Sequence, residues 1–132
     1  MIPIFKSHFS IGKSILTLNP PGLSKNGSAD SVFDICKDSG LDKIVLIEDS
    51  FMGFPEAMKV SSEINKQLVF GIRFKVCQDL NSTDDNESPD CSHKLIVLSK
   101  NSGGIKLLNL IYTESFTKYD GWIDFSLLSK FW

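Results

Sequence analysis

The chain has 132 residues, 42% of them hydrophobic, 11% aromatic and 23% charged, and a formal net charge of −2. This length suits a single domain that buries roughly two-thirds of the surface its unfolded chain exposes, with no need of metals or disulfides for a core. The mild acidity and the single arginine, Arg73, argue against a dedicated nucleic-acid-binding module, which usually carries a basic stripe.

Ile2–Phe5 is a short apolar strand candidate. Asn19-Pro20-Pro21-Gly22 and Asn26-Gly27 mark a long turn-rich connection. Ser28 is positioned to cap a helix whose stripe is Ala29, Val32, Phe33 and Cys36, with Gly40 at the C′ position. The run from Lys43 to Ile47 is continuously apolar after its lysine, the pattern of a strand covered on both faces. Pro55 suits the first turn of a second helix, with Phe54, Ala57, Met58, Ser61 and Ile64 expected to face inward. Leu68–Ile72 reads as another buried strand, which Phe74–Cys77 either extends or follows with a neighbour.

Residues 78–93 break this pattern, with Asp79, Asp84, Asp85, Glu87 and Asp90 and no lysine or arginine. A carboxylate cluster can bind a hard cation, but this one lacks the D-x-[DN]-x-[DN]-G loop with a closing glutamate and reads as an acidic surface loop. Leu95–Leu98 is the last strong strand. Gly103-Gly104 then leads a helix through Ile105, Leu108 and Ile111, and Asp124 is placed to cap a short helix ending at Phe131 and Trp132. Ending on two large aromatics suggests that the chain is cut from a longer protein. The alternation of strands and helices predicts β/α units around a largely parallel sheet.

Cys36, Cys77 and Cys91 show no C-x-x-C spacing, which argues for a reducing, cytoplasmic setting and against a disulfide framework or zinc site. No apolar run is long enough to span a bilayer and no signal-peptide pattern is present, so no membrane association is expected. Gly12-Lys13-Ser14 looks like the end of a phosphate-binding loop. Ser7 stands where that loop needs its first glycine, and the chain runs on to Pro20-Pro21 rather than into a helix. His8 follows the first strand and Glu48-Asp49 ends the second, at the rim where β/α folds place their chemistry. Two ligands do not hold a catalytic metal, and no serine or cysteine has a matched histidine and acid in the sequence.

The same strand ends carry a resemblance. K-S-H at 6–8, L-I-E-D-S-F-M-G at 46–53, V-F-G-I-R-F at 69–74 and K-L-I-V-L-S-K-N at 94–101 follow one another in a telling order. Gly103-Gly104, Leu107-Leu108 and G-W-I-D-F-S-L-L-S-K at 121–130 come after them. This order is similar to the PHP (polymerase and histidinol phosphatase) domain at the N-terminus of the bacterial DNA polymerase III alpha subunit. That family shows H-x-H-S, T-D-H-x-N-L-x-G, G-x-E and H-L-x-L-L-A-K-N at the corresponding places. The resemblance covers nearly the whole chain, so residues 1–132 are expected to form a single PHP-like domain fragment, about the front half of a family domain. It implies an α/β fold, a PHP-like partial (β/α) distorted barrel with mostly parallel strands and flanking helices.

Family members bind zinc, manganese or iron, and the resemblance implies a degenerate site here. His8 matches the second histidine of H-x-H, and Lys6 occupies the first. Ile15 or Leu16 stands where an aspartate belongs. Asp49 matches the aspartate of T-D-H, and Ser50 replaces its histidine. Arg73 takes the place of the acid in G-x-E, and Lys94 takes the next histidine position, with His93 beside it. Positive charge at about 4 Å from a metal in a partly buried site costs several kcal/mol per pair, so no catalytic, cofactor or metal site is expected. His8 and Asp49 are remnants, and Lys6, Arg73 and Lys94 are expected to form internal salt bridges with Asp49 or Glu48.

The function so implied is that of a non-catalytic scaffold within a DNA-directed DNA polymerase, a nucleotidyltransferase of DNA replication. Its partners would be the rest of the polymerase chain and a proofreading exonuclease subunit. Two alternatives stand beside this reading. One is a metal-dependent phosphoesterase in which His8, Asp49 and His93 survive as ligands. The other is a free-standing PHP-derived interaction module, whose open strand edges would force it to dimerise or rearrange.

Overall fold

In a computed structural model, residues 2–11, 16–23, 30–81 and 93–132 are described. The chain divides into two compact units, residues 1–71 and 72–132. In the first unit, β1 (Ile4–Phe5) pairs in parallel with β4 (Lys43–Glu48), Ile4 opposite Val45 and Phe5 opposite Leu46. β4 is flanked on its other side by β5 (Gln67–Val76). Five successive residues of β4 are buried, as expected of a strand covered on both faces. A separate parallel pair joins β2 (Leu16–Thr17) to β3 (Asp30–Ser31).

Helix α2 (Val32–Asp38) packs on β4 through its buried face of Val32, Phe33 and Cys36. It opens later than the sequence pattern implied. Its N-cap is Ser31, whose hydroxyl accepts the Phe33 N–H at 3.1 Å, and Ser28 and Ala29 lie outside the described residues. At the other end Gly40 takes φ +64°, its N–H reaches Lys37 O at 3.1 Å and that of Leu41 reaches Cys36 O at 2.9 Å. This is the Schellman closure expected of a C′ glycine.

Helix α3 (Phe54–Glu63) has Pro55 in its first turn and buries Ala57, Val60 and Ser61. Met58, expected inward, is 50% exposed. The buried residues sit at i, i+3 and i+4, and position 58 is one residue round from that stripe, toward solvent. Asn65 closes this helix at φ 54°, with Lys66 N–H on Ser61 O at 2.9 Å. Phe51, Phe54 and Phe70 form a ring cluster with centroids 4.9–5.9 Å apart, which ties α3 to the start of β5.

In the second unit β5 continues without a break, so Phe74–Val76 extend the strand rather than start another. Its neighbours here are β6 (Lys94–Leu98) and β7 (Trp122–Ile123), the latter parallel, with Lys75 opposite Trp122 and Val76 opposite Ile123. Helix α4 (Ser102–Lys118) is capped by Asn101, whose side chain accepts the Gly104 N–H at 2.9 Å. It buries Leu108, Ile111 and Ser115 and contacts β6, β7 and α5 (Phe125–Phe131). Asp124 caps α5 as expected, accepting the Leu127 N–H at 2.7 Å, and its other oxygen accepts the Leu80 N–H at 3.1 Å.

The result is a mixed α/β structure with a mostly parallel sheet and flanking helices. The described strands close into no barrel. No helix of the described residues is long and apolar enough to cross a membrane. Residues 82–92 of the acidic stretch, and Gly12-Lys13-Ser14, lie outside the described residues.

Candidate functional site

Parallel pairing of β1 with β4 sends both chains out of the sheet at the same end. There Lys6-Ser7-His8 meets Glu48-Asp49-Ser50. Helix α1 (His8–Ile11), four residues long, follows at once. Ser7, fully buried, starts it. Its hydroxyl accepts the Phe9 N–H at 3.2 Å, and its carbonyl accepts from the N–H groups of Ser10 and Ile11. Gly53 lets this turn sit close, because a Cβ there would meet the Phe9 ring at 2.9 Å and Leu18 at 3.1 Å.

Glu48 is completely buried, and a buried carboxylate must be hydrogen-bonded to be tolerated. One oxygen accepts the Ser7 N–H at 2.9 Å, and the other accepts the Ser10 hydroxyl. Ser10 Oγ in turn accepts the Asp49 N–H at 2.7 Å. A single hydroxyl thus links the side chain of Glu48 to the backbone of Asp49. The Asp49 carboxylate faces Lys6, with Nζ 2.7 Å from Oδ2 and side-chain exposures of 20% for Lys6 and 37% for Asp49. The internal ion pair expected between these two residues is present.

His8 stacks on Phe9 with ring centroids 4.3 Å apart. Its Nδ1 is buried and has no hydrogen-bond partner among the described residues. Ser50 takes part in a turn, its hydroxyl accepting the Met52 N–H at 3.3 Å. The remaining predicted positions belong to the second unit. Arg73 lies within β5, Lys94 opens β6 and is exposed, and the His93 carbonyl accepts the Val76 N–H at 3.0 Å.

The site therefore gathers Lys6, Ser7, Ser10, Glu48 and Asp49. Sequence alone points to Lys6, Glu48 and Asp49; it marks Ser7 only as the residue in place of a loop glycine and gives Ser10 no role. The signal for them was the glutamate ending an otherwise apolar run, since a buried acid requires donors. Among the described residues no group of three or more His, Cys, Asp or Glu is arranged to hold a metal ion. No activated thiol is found at Cys36, whose burial pushes its pKa up, the Lys66 charge opposing this more weakly.

Chemically, the arrangement neutralises one carboxylate with a lysine and holds the other with a backbone N–H and a hydroxyl. No protein-family model matches the chain, and no curated protein matches it.

Proposed function

We propose that the chain is the front part of a PHP-like domain of a bacterial replicative DNA polymerase III alpha subunit. On this reading it serves as a non-catalytic scaffold and as a docking site for a proofreading subunit. The reading rests on the resemblance of residues 6–8, 46–53, 69–74, 94–101 and 121–130, and the Lys6–Asp49 pair at 2.7 Å is the observation that carries it. Where the family motif has a histidine and an aspartate sharing a metal, this chain has an ammonium against the aspartate. A fixed cation there takes the electrostatic place of a bound one. Arg73 and Lys94 add no ligand at their positions, and the fragment would act without a metal cofactor and without direct contact to nucleic acid. Elemental analysis of the purified chain after incubation with zinc, manganese and iron is the test. Less than about a tenth of an equivalent of each is expected, and a stoichiometric metal would overturn the reading.

One observation favours a second reading, a metal-dependent phosphoesterase with a reduced site. Among the described residues His8 Nδ1 is buried with no partner, and an imidazole nitrogen so placed is the kind that ligates a metal. Manganese-stimulated hydrolysis of a generic phosphomonoester, abolished by His8→Ala, would establish it. Absence of turnover across several divalent metals would dismiss it.

A further inference from the structure

Four successive residues of β6, Leu95, Ile96, Val97 and Leu98, line one cavity of about 690 Å³. Successive side chains of a strand point to opposite faces of its sheet. A cavity touched by all four therefore runs along the edge of the strand rather than over one face. Its other wall includes Phe125 of α5 and Trp132 just beyond that helix. A second cavity of about 210 Å³ shares Val97, Leu98 and Trp132 with the first and carries the groove toward Lys100.

β6 ends the strand order, with β5 its neighbour among the described strands. The apolar side chains at this edge are unusually open, Phe125 at 69% and Trp132 at 89%. An edge strand with exposed apolar side chains is a template for another strand, and proteins ordinarily cover or charge such an edge. The charges bracketing β6 are of one sign, Lys94 at its start and Lys100 just after its end, both exposed. Neither β6 nor α5 contains an Asp or Glu.

We propose that this edge takes an extended segment of another polypeptide, apolar at alternate positions and carrying carboxylates at its ends, which adds a strand to β6. Backbone hydrogen bonds along about 13 Å of edge hold it, alternate side chains fill the groove, and the carboxylates meet Lys94 and Lys100. A second copy of this chain offers the same lysines, and like charges face to face oppose that pairing. The acidic stretch at 82–92 has the right charge but contains no Val, Leu, Ile or Phe to fill the groove. A small apolar ligand would leave the strand's polar edge unused. The inference stands apart from the polymerase reading and does not need it.

The test uses the full chain carrying Trp122→Phe, so that Trp132 reports alone. The probe is a blocked peptide of alternating valine and threonine between paired glutamates, and the control has lysines in place of the glutamates. A saturable blue shift of Trp132 emission is expected with the first peptide, with at least about tenfold weaker binding of the second. Leu98→Glu, at an exposed position, should weaken the glutamate-ended peptide by a similar factor with an unchanged far-ultraviolet spectrum. Lys100→Glu should narrow the difference between the two peptides. No saturable shift, equal affinity for both peptides, or a chain that sediments as a dimer the peptide cannot dissociate would each overturn the proposal.

Discussion

Lys6 and Asp49 are separated by 43 positions yet meet at 2.7 Å, so their contact tests the register of β1 on β4. The pair is partly exposed, and such pairs contribute modestly, about 0.5–1 kcal/mol. Lys6→Met and Asp49→Asn should each lower stability by about 1 kcal/mol, and the double variant should lose less than the sum. Urea unfolding of all four proteins measures this. Strict additivity would mean that the contact adds nothing to stability. The role of the serines beside the pair has no periodicity to reveal it, and Glu48 at the end of an apolar run signals only that some donor is needed. Ser7 and Ser10 acquire meaning only once β1 lies next to β4 and a buried Glu48 needs donors.

Elements were legible in proportion to how local their cause is. The β4 run declared itself because four successive apolar residues, Ile44 to Ile47, leave neither face of the strand polar. Asp124 and Gly40 were readable as caps because each acts on backbone groups a few residues away. The start of α2 was not, since Ser28 and Ser31 both have the right chemistry and only pairing of Ser31 in β3 with β2 decides between them. Met58 was misplaced by one position of helical rotation.

Between elements, Glu114 of α4 joins Lys130 of α5 at 2.8 Å and Lys118 of its own helix at 3.1 Å. Its pKa is lowered, first by the hydrogen bond from Lys130 and next by that from Lys118. A carboxylate depressed in the folded state stabilises fully above its unfolded pKa of about 4.3 and loses that contribution as the pH falls through the lower native value. Thermal unfolding between pH 6 and about pH 3 should therefore show a midpoint falling with acid, with a shallower fall in Glu114→Gln. Identical pH profiles for the two proteins would show that the cluster is not linked to folding.

At the scale of the molecule, burial is uneven along the sheet. Ile44–Ile47 of β4 are buried, whereas Ile96 and Leu98 of β6 are nearly half exposed. Amide hydrogen exchange should accordingly be slowest across β4 and markedly faster at Ile96 and Leu98. Equal protection of the two strands would contradict the burial pattern. The fold class was readable in outline, because alternating strands and helices impose a mostly parallel sheet. What the described strands do with their edges was not readable, because closure depends on register and twist summed over several strands rather than on any one segment.

The ammonium of Lys6 also differs from a bound ion in how it responds to surroundings. A ligand that binds the native state stabilises it in proportion to the logarithm of its free concentration, so chelation or dilution removes the benefit. Lys6 is tethered, and its local concentration beside Asp49 is set by the chain rather than by the solution. Charge balance at this end of the sheet is consequently written into heredity instead of being drawn from the medium, and it arrives with every molecule synthesised.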